Sequence, residues 1–471
     1  MTETMPTNTH VEMIALGDLI PYVGNARTHS KKQVRQIADS IQRFGFTNPI
    51  LVDDNFMILA GYGRVMAAQV LGMESVPCRR LAQMSDAEKR AYILADNKLA
   101  QNAGWDEDLL AKELSLLLDE GQDINIALTG FSIAEVDVLL EPGGTAQEAN
   151  AERDDALPAP VADAESAVTQ MRDVWQLGPH RLVCGDARDV SAYAVLMEGE
   201  SADMVFTDPP YNVPVDGHVC GSGKTKHREF AMASGEMSPD EFTAFLTDSL
   251  QLMADHSRDG SIHFVCMDWR HMREVMDAGQ TVYDEMKNLI VWAKDNGGMG
   301  TFYRSRHELV FAFKNGTASH NNAFKLGQYG RNRTNVWNYR GITSATKEAR
   351  EELSLHPTVK PAAMLADTLK DCCPRGGIVL DGFAGSGSIV IAAHKTGRRA
   401  RAVEIDPLYC DTIIRRWQAW AKDDAVLMAT GHTFEETAKE RRPDPDAGST
   451  NDKPLKPLEP QGSFSVQEVT P

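Results

Sequence analysis

Several features that direct a chain to a membrane, an export pathway or a zinc site are lacking from these 471 residues. No run of about 18 apolar residues occurs, which argues against a membrane-spanning helix. The first residues, MTETMPTNTHVEM, lack the basic-then-apolar order of a secretory signal. The seven cysteines are scattered, and no two have C-x-x-C spacing. We therefore expect a cytoplasmic protein with reduced thiols, no metal site and no membrane contact.

Positive charge is also scarce, since 48 Lys and Arg face 67 Asp and Glu, giving a net charge of −19. This balance is unfavourable for a protein that contacts phosphates. The deficit is uneven, however, because residues 294–350 contain ten Lys and Arg against three acids. Such a local excess favours a polyanionic partner. The candidate contact residues in this interval are Arg304, Arg306, Arg331 and Arg333.

The chain divides into four segments of different character. Residues 10–140 alternate short β-like runs with helical patterns, including a helix over Lys31–Phe44 and a hairpin formed by PILVDD and FMILAG. A helical extension follows, with a helix over Asp106–Glu120 and a capping box at Ser132 and Glu135. Residues 141–168 are rich in Ala, Pro and acids, which predicts a flexible linker. Residues 169–430 alternate apolar strands with helices, which predicts an α/β fold with a mostly parallel sheet. For residues 431–471 we expect disorder.

A glycine-rich turn follows an apolar strand in GIVLDGFAGSGS, residues 377–388. Glycines there let a ligand approach the backbone amides at the start of the next helix. The following strand ends in Glu404, a carboxylate placed to accept hydrogen bonds from ribose hydroxyls. A dinucleotide site, an adenosyl site and a capped turn without ligand all fit this pattern. The turn F-A-G-S-G is not G-x-G-x-x-G, which makes the dinucleotide the weaker reading.

A second strand, in DMVFTDPPY, ends in Asp208, Pro209, Pro210 and Tyr211. The two prolines stiffen the turn and hold a carboxylate, a carbonyl and an aromatic ring together. A conjugated exocyclic amine is a poor nucleophile, and accepting its two N–H bonds at the carboxylate and at a carbonyl near Pro209 localises its lone pair. Tyr211 offers a stacking surface for a base flipped out of a duplex. A rigid surface turn is the alternative.

These two motifs together resemble those of the DNA amino-methyltransferases, which carry D-P-P-Y and F-x-G-x-G. The catalytic motif comes first here, as in the β class, in which the target-recognition region, here about 294–350, lies between the two. The resemblance covers about 171–425 and implies a Rossmann-like domain that uses S-adenosylmethionine to methylate a base amine in double-stranded DNA. It also implies a bacterial or phage-encoded, nucleoid-associated protein of restriction–modification type. Asp in the first catalytic position favours adenine N6 over cytosine N4.

The resemblance also assigns residues to the cofactor. Cys184-Gly185-Asp186 is similar to an element whose acid contacts the cofactor's adenine, and the segment HPTVKP, which contains Lys360 and Pro361, is similar to one that touches its methionine end. Tyr303–Glu308 resembles a further family segment of loosely assigned role. The implied cofactor-binding residues are Asp186, Lys360, Pro361, Asp381, Phe383, Gly385, Gly387, Ser388, Glu404 and Asp406.

The loop after the catalytic motif contains GSGKT, residues 221–225, which ends like a phosphate-binding loop. The first glycine of that pattern falls on His218, and no strand leads into it. We therefore reject a nucleotide site there. Lys224 and Lys226 are candidates for DNA phosphate contact, with a solvated charged loop as the alternative.

The N-terminal domain resembles the ParB N-terminal, or sulfiredoxin-like, α+β fold through LAGYGRVMAA, residues 59–68. In that fold a Gly-x-x-Arg turn binds nucleotide phosphates, which designates Gly61, Gly63 and Arg64. Tyr62 stands where sulfiredoxins have a reactive cysteine, so that redox activity is not expected. Whether the turn still binds a nucleotide stays open, with pairing of Arg64 to a local acid as the alternative. We expect a DNA-targeting or partner-docking role.

Two alternatives to adenine methylation stay open at this point. One is a cytosine-N4 DNA methyltransferase. The other is a ParB-like, nucleotide-dependent DNA-binding protein whose methyltransferase half is inactive, against which the intact Asp208, Tyr211, Phe383 and Glu404 argue. The recognised DNA sequence and the formation of a homodimer are not fixed by the sequence.

Overall fold

The computed structural model describes residues 10–119, 126–140, 153–156, 158, 167–213, 235–295, 297, 302–323, 333–341 and 359–442. The chain forms two compact units. The first consists of Met1–Glu152, Ser319–Asn335 and Ala366–Gly377, and the second of Arg153–Ala318, Val336–Leu365 and Ile378–Pro471. Within the described ranges, no helix is long and apolar enough to cross a membrane.

The first unit is built on a four-stranded sheet of order β1-β4-β2-β3. Strand β4 pairs antiparallel with β1 and parallel with β2, and β2 and β3 form the predicted hairpin. Among the described residues, five α-helices lie wholly within this unit. The elements are β1 (Val11–Ala15), α1 (Lys31–Phe44), β2 (Ile50–Val52), β3 (Ile58–Ala60), α2 (Tyr62–Val70), β4 (Ser75–Arg80), α3 (Asp86–Asn102), α4 (Glu107–Asp119) and α5 (Ile133–Leu139).

Local sequence signals account for these helix boundaries. Helix α1 covers the predicted residues and ends at Gly45, whose φ of 80° is in the left-handed region that favours glycine. The predicted capping box is confirmed at the start of α5, where Ser132 and Glu135 each bond the other's backbone amide. Apolar side chains of all four strands form the core of this sheet, among them Ile14, Ile50, Ile58 and Val76.

The second unit contains a ten-stranded sheet of order β11-β9-β10-β8-β7-β12-β13-β6-β5-β14. Its five central strands, from β8 to β6, are parallel, while β10, β5 and β14 pair antiparallel with their neighbours. The predicted α/β fold with a mostly parallel sheet is therefore confirmed. The strands are β5 (Val174–Leu177), β6 (His180–Cys184), β7 (Ala202–Thr207), β8 (Ser257–Met267), β9 (Glu285–Ala293), β10 (His307–Lys314), β11 (Val336–Asn338), β12 (Ile378–Asp381), β13 (Arg399–Glu404) and β14 (Val426–Leu427).

Seven α-helices belong with this sheet in the described part of the chain. Helix α7 buries Phe242, Phe245 and Leu250 in the core that also contains Val205 and Val265 of the central strands. The helices are α6 (Val190–Met197), α7 (Pro239–Asp255), α8 (Met272–Val282), α9 (Ala362–Cys372, whose last residues fall in the first unit), α10 (Ser388–Lys395), α11 (Pro407–Ala421) and α12 (Phe434–Arg441).

Helix α12 lies inside the stretch 431–471, for which we expected disorder, so that expectation does not hold for residues 431–442. The helix begins with a capping box between Thr433 and Glu436. Phe434 is fully buried, with its ring centroid 5.5 Å from that of Trp175. Burial of this aromatic ring and a satisfied helix start explain why the chain is ordered beyond residue 430.

The stretch 141–168, which we expected to be a flexible linker, also contains ordered residues. Residues 153–155 have helical backbone, and Asp154 is only 3% exposed. Val168 and Thr169 donate backbone N–H bonds to the buried Asp411. These contacts hold parts of the stretch against the second unit's own helices, because buried carboxylates must be paired or hydrogen-bonded.

Candidate active site

Four acids of the second unit lie at the carboxyl ends of neighbouring parallel strands or one or two residues after them. Asp186 follows β6, Asp208 follows β7, Asp381 ends β12 and Glu404 ends β13. Strands β7 and β12 are hydrogen-bonded neighbours, and the Thr207 hydroxyl donates to Asp381 Oδ1 at 2.9 Å. Ligands of open α/β sheets bind at such carboxyl ends. The fold therefore places the two motifs, far apart in sequence, side by side.

The D-P-P-Y turn holds its carboxylate in a closed set of contacts. The Tyr211 hydroxyl donates to Asp208 Oδ1 at 2.8 Å, and Lys360 Nζ donates to Asp208 Oδ2 at 2.5 Å. Pro209 is buried and Pro210 is half-buried. The side chain of Asp208 keeps 19% of its surface exposed. The carboxylate is thus fixed in orientation while part of it still faces outward.

Glu308 is a site residue to which the sequence gave no defined role. It lies at the start of β10, and its Oε2 is 3.2 Å from the Tyr211 hydroxyl and 3.1 Å from Lys360 Nζ. Lys294, just after β9, pairs with its other oxygen. Strand β10 runs antiparallel to β8, so its first residues lie at the same sheet edge as the carboxyl ends of the parallel strands. Only this pairing brings Glu308 to Asp208.

Lys360 lies between these two carboxylates, with 6% of its side chain exposed. Its predicted contact with the cofactor stays a prediction. The two carboxylates raise the pKa of Lys360, outweighing burial, which alone would lower it. Burial raises the pKa of Asp208, although the Lys360 ammonium acts in the opposite direction. Burial would also raise the pKa of Glu308, but Lys360 and Lys294 outweigh it and hold that pKa at about 2. Lys360 is therefore a cation and Glu308 an anion at neutral pH.

Tyr211 stays protonated and serves as a hydrogen-bond donor in this cluster. Its pKa is raised well above the ordinary value by burial, and the carboxylates of Asp208 and Glu308 add to the effect. The Lys360 ammonium lies 5.7 Å from the centre of the Tyr211 ring. The ring is consequently held on two sides, at its hydroxyl and beside its face.

The glycine-rich turn is closed by hydrogen bonds to the acids of the adjacent strands. Gly385 donates its backbone N–H to Glu404 Oε2 at 2.8 Å, and Asp406 donates its own to Glu404 Oε1 at 2.9 Å. Phe383 donates its N–H to Asp381 Oδ1 at 3.0 Å. Burial raises the pKa of Asp381 and that of Glu404 to about 7. Each oxygen of Glu404 keeps a further lone pair with which to accept a ligand hydroxyl.

Two glycines of the turn meet a conformational requirement. Gly385 has φ of 52° and Gly387 has φ of 79°, both in the region that side chains disfavour. A Cβ at Gly387 would also lie 2.9 Å from side-chain carbons of Ile413. The backbone conformation at the start of α10 and the proximity of Ile413 therefore require these glycines, while the predicted approach of a ligand to the backbone amides stays a prediction.

The other predicted cofactor residues have contacts within the protein. Asp186 accepts hydrogen bonds from the backbone and guanidinium of Arg188. Ser388 is buried, and its hydroxyl accepts a bond from Arg416 at 3.1 Å. Asp406 caps α11 through the N–H of Leu408. Phe383 packs its ring 5.8 Å from that of Phe245, and Pro361 is buried beside Lys360 in the chain.

The six predicted DNA contacts have different surroundings. Lys224, Lys226 and Arg331 lie outside the described residues. Arg304 and Arg306 are exposed in the connection from β9 to β10, and Arg304 donates to the Gly297 carbonyl at 2.8 Å. Arg333 belongs to the first unit, where Asp371, at 2.9 Å, and Asp367, at 3.6 Å, pair with its guanidinium. A cation held by two carboxylates is a poor candidate for phosphate contact.

In the first unit, the predicted Gly-x-x-Arg turn forms the start of α2. Gly61 precedes the helix with φ of 93°, and the Arg64 guanidinium lies over it, 2.9 Å from the position that a Cβ would take. Arg64 donates to the Asn48 carbonyl at 2.8 Å, and Asp96 acts on it electrostatically. A Cβ at Gly63 would lie 3.0 Å from atoms of His29 and Ile37. Both glycines thus allow a close approach of side chains at this turn.

In comparisons with known proteins, three family models match successive parts of the chain. Residues 202–415 match the DNA methylase family, residues 2–98 the ParB N-terminal domain and residues 108–171 the ParB-methyltransferase HTH domain. The HTH match covers α4 and α5, which the sequence indicated only as a helical extension. The two predicted helix signals in succession, over Asp106–Glu120 and after Ser132, were what could have revealed it.

Known proteins are similar to the ParB-like part of the chain or to its methylase part. The ParB-like nuclease domain-containing protein YnaK of Escherichia coli is 52% identical over 75 residues, 16% of this chain and 86% of YnaK. The DNA adenine methyltransferase YhdJ of Escherichia coli is 24% identical over 275 residues, 54% of this chain and 86% of YhdJ. Among solved structures, the PvuII DNA methyltransferase (cytosine-N4-specific) covers 59% of this chain and 94% of its own, with 12% identity and a TM-score of 0.40.

Sheet, turn and acids together define the second unit as a Rossmann-like, S-adenosylmethionine-dependent DNA methyltransferase domain. The chain thus contains a domain of the N6/N4 DNA methylase family, with a ParB N-terminal domain and a ParB-methyltransferase HTH domain ahead of it. Among the described residues, no group of three or more His, Cys, Asp or Glu could hold a metal ion.

Proposed function

We propose that the chain methylates adenine N6 in double-stranded DNA, with the target base flipped out of the duplex. The observation that supports this most strongly is that the Asp208–Tyr211 turn lies beside the glycine-rich turn, residues 381–388, which we name the cofactor turn. One hydrogen bond, between Thr207 and Asp381, joins the two. Asp in the first catalytic position and the similarity to an adenine methyltransferase favour adenine. Cytosine N4 is the competing target within the same family.

The residues of the glycine turn fit the proposed cofactor role. S-adenosylmethionine, when bound, supplies an electrophilic methyl group on a sulfonium. Glu404 has acceptor capacity for ribose hydroxyls, because each of its oxygens receives one backbone N–H in the structure. The buried acids Asp381 and Glu404, both with pKa of about 7, present carboxylate groups to a cationic ligand above that pH.

The D-P-P-Y turn is suited to present an amine. We assign the two N–H bonds of the target amine to the Asp208 carboxylate and to the Pro209 carbonyl. Each oxygen of Asp208 receives one bond, from Tyr211 or from Lys360, so a second lone pair on each is left for the amine. Burial raises the pKa of Asp208, which makes its carboxylate a better acceptor for the proton that the methylated nitrogen loses.

Lys360 and Glu308 act on this turn as positioning groups. Lys360 fixes one oxygen of Asp208, and Glu308 lies against the hydroxyl of Tyr211, so the carboxylate and the ring keep their mutual orientation. A base stacked on the Tyr211 ring recovers about 1–3 kcal/mol of the cost of leaving the duplex.

The test is the product formed by the full chain and by two variants of Asp208. Wild type should produce N6-methyladenine in duplex DNA, measured by mass spectrometry of digested nucleosides. Asp208→Ala and Asp208→Asn should both lose transfer by at least about 100-fold, since the amine loses a charged acceptor. Both should still bind S-adenosylmethionine in calorimetry. N4-methylcytosine as product would establish the competing target, and unchanged transfer in Asp208→Ala would contradict the mechanism.

We also propose that the connection from β9 to β10, residues 294–306, contacts DNA; we name it the hairpin tip. The register pairs His307 with Ala293, so the residues at both ends of this connection lie at the sheet edge at which Glu308 meets Tyr211. Arg304 and Arg306 are exposed, and Phe302 and Tyr303 each keep 85% of their surface accessible. Exposed aromatic rings flanked by cations suit unstacked bases and phosphates. Lys224, Lys226 and Arg331 stay proposed contacts.

The hairpin tip can be tested by comparing duplex and single-stranded substrates. Phe302→Ala with Tyr303→Ala should lower methylation of the duplex more than methylation of a single strand, because only the duplex requires base extrusion. Met428→Ala is a control far from the hairpin tip in the strand order, because Met428 follows β14, the last strand of the sheet, and is 41% exposed. Equal losses on both substrates would refute a role in opening the duplex.

For the first unit we propose DNA binding by the HTH domain and nucleotide binding at Gly61, Gly63 and Arg64. The latter is supported by the guanidinium of Arg64 beside the first turn of α2. Calorimetric titration with nucleoside triphosphates should give binding that Arg64→Ala weakens. No heat with any of the four common triphosphates would leave Arg64 with a structural role, through its bond to Asn48.

A further inference from the structure

Residues 153–155, which we name the linker anchor, form a packed element within a stretch of linker composition. These residues belong to the second unit, but they lie outside residues 202–415, which match the DNA methylase family. The Asp154 side chain is 3% exposed and accepts a hydrogen bond from Trp420 Nε1 at 2.9 Å. It also pairs with Lys395 at the end of α10. A carboxylate buried in this way is held by specific partners on two helices.

The backbone of the linker anchor reaches the cofactor turn through one arginine. Arg416 of α11 is 3% exposed, and its Nη2 donates to the Asp154 carbonyl at 2.8 Å. Its Nη1 donates to the Ser386 carbonyl at 2.9 Å and lies 3.1 Å from the Ser388 hydroxyl. Because the guanidinium is planar and rigid, a shift of one partner is transmitted to the others.

The other end of the linker anchor reaches the Lys360 segment. Asp155 Oδ1 accepts the backbone N–H of Ala362, the first residue of α9, at 2.8 Å. Lys360 stands two residues earlier in the chain and touches Asp208. Burial raises the pKa of Asp155, so an uncharged acceptor of the same shape should serve nearly as well there. Two residues of the stretch thus hold two different walls of the active site.

We infer that the linker anchor positions the active site in two ways: Asp154 and Arg416 hold the cofactor turn, and Asp155 holds Lys360 in register with Asp208. Asp154 and Asp155 are positioning residues, because neither touches the reacting atoms. This inference rests on the proposed function, since it concerns the same site. It predicts separable effects, on cofactor affinity for Asp154 and on turnover for Asp155.

The first arm of the test is calorimetric binding of S-adenosylmethionine to the full chain. Asp154→Ala should weaken binding about five- to tenfold, because the side-chain contacts that hold residue 154, and with it the backbone carbonyl bonded to Arg416, are lost and the turn loosens. Trp420→Phe removes one donor to Asp154 and keeps the ring, so it should weaken binding in the same direction by a smaller factor. This second variant keeps the test valid should Asp154→Ala fail to fold.

The second arm is turnover at saturating cofactor. Asp155→Ala should lower kcat about tenfold with cofactor affinity changed less than about twofold, since displacement of a reacting group by a fraction of an ångström is costly. Asp155→Asn should restore kcat to within about twofold of wild type, because the amide oxygen accepts the same N–H.

Asp411→Asn is the matched control. Asp411 is equally buried in α11 and also ties a neighbouring segment, through the N–H groups of Val168 and Thr169, but it has no bond to the cofactor turn. It should lower the melting temperature while leaving cofactor affinity unchanged. If the Asp154 and Asp155 variants lower only the melting temperature as well, the inference is overturned. A wild type that binds cofactor but methylates no base would instead refute the proposed function and leave the affinity arm testable.

Discussion

Replacing Lys360 by methionine is the sharpest test of the charge arrangement in the active site. The ammonium lies 2.5 Å from Asp208 Oδ2 and 3.1 Å from Glu308 Oε2, with 6% of the side chain exposed. Removing one partner of such a buried pair costs about 3–5 kcal/mol, because the remaining charges are left uncompensated. We expect Lys360→Met to lower the free energy of unfolding at neutral pH by this amount. Turnover should fall at least about 100-fold, since Asp208 loses its fixed orientation.

The pKa of Glu308 predicts how the stability difference between wild type and Lys360→Met changes with pH. The pKa of Glu308 is held at about 2, below its ordinary value, so its ion pairs stabilise the folded state fully above the ordinary pKa and lose that contribution as the pH falls toward 2. The difference in unfolding free energy between wild type and Lys360→Met should therefore be largest near pH 7. It should shrink below about pH 4.5, where the variant's carboxyl groups become protonated.

The assay is urea unfolding followed by fluorescence at several pH values, with turnover measured in parallel. Lys287→Met is the matched control, because Lys287 forms an ion pair with Glu285 at 2.9 Å on the same sheet, and these side chains are 33% and 50% exposed. Such surface pairs contribute about 0.2–1 kcal/mol. A loss for Lys360→Met no larger than that of the control, or one that does not diminish in acid, would refute the reasoning.

Further outcomes follow from single contacts. Burial raises the pKa of Glu404 and that of Asp381 to about 7, so calorimetry should show cofactor affinity rising between about pH 6 and pH 8. Glu404→Gln should reduce this rise, and the part that Asp381 contributes should remain. Arg304→Ala should lower DNA affinity and reduce the salt slope by about 1, whereas Arg333→Met should leave the slope unchanged and lower the melting temperature, because two carboxylates already hold Arg333. Gly387→Ala should destabilise the protein by about 1–3 kcal/mol in urea unfolding, because φ is 79° and its Cβ would crowd Ile413.

The sequence predicted the parts of the fold that local signals determine. Helix α1, the β2–β3 hairpin and the apolar strand β7 were predicted because periodicity and end signals are contained within a few residues. The same kind of signal, a Thr-x-x-Glu box at Thr433, was present at the start of α12, but the composition of the tail outweighed it in our interpretation.

The missing part of the candidate site depends on strand order, which no local pattern specifies. Glu308 reaches Asp208 only because β10 pairs antiparallel with β8. This pairing also places Glu308 beside Lys360, which therefore has an acid on each side. The linker anchor could not be predicted from the sequence for a different reason. Asp154 looks like a linker acid in sequence, and only burial against Trp420 and Lys395 distinguishes it.

The hydrogen bond between Thr207 and Asp381 joins residues 174 positions apart, and it also bears on how the protein is made. Strand β7 lacks its β12 neighbour until the ribosome has synthesised residues beyond 381. Contacts of such long sequence separation form slowly, because loop closure must precede the pairing that rewards it. We therefore expect the ParB-like unit to gain structure early, and catalytic competence to appear only after nearly the whole chain has left the ribosome. A nascent chain stalled before β12 should bind no cofactor.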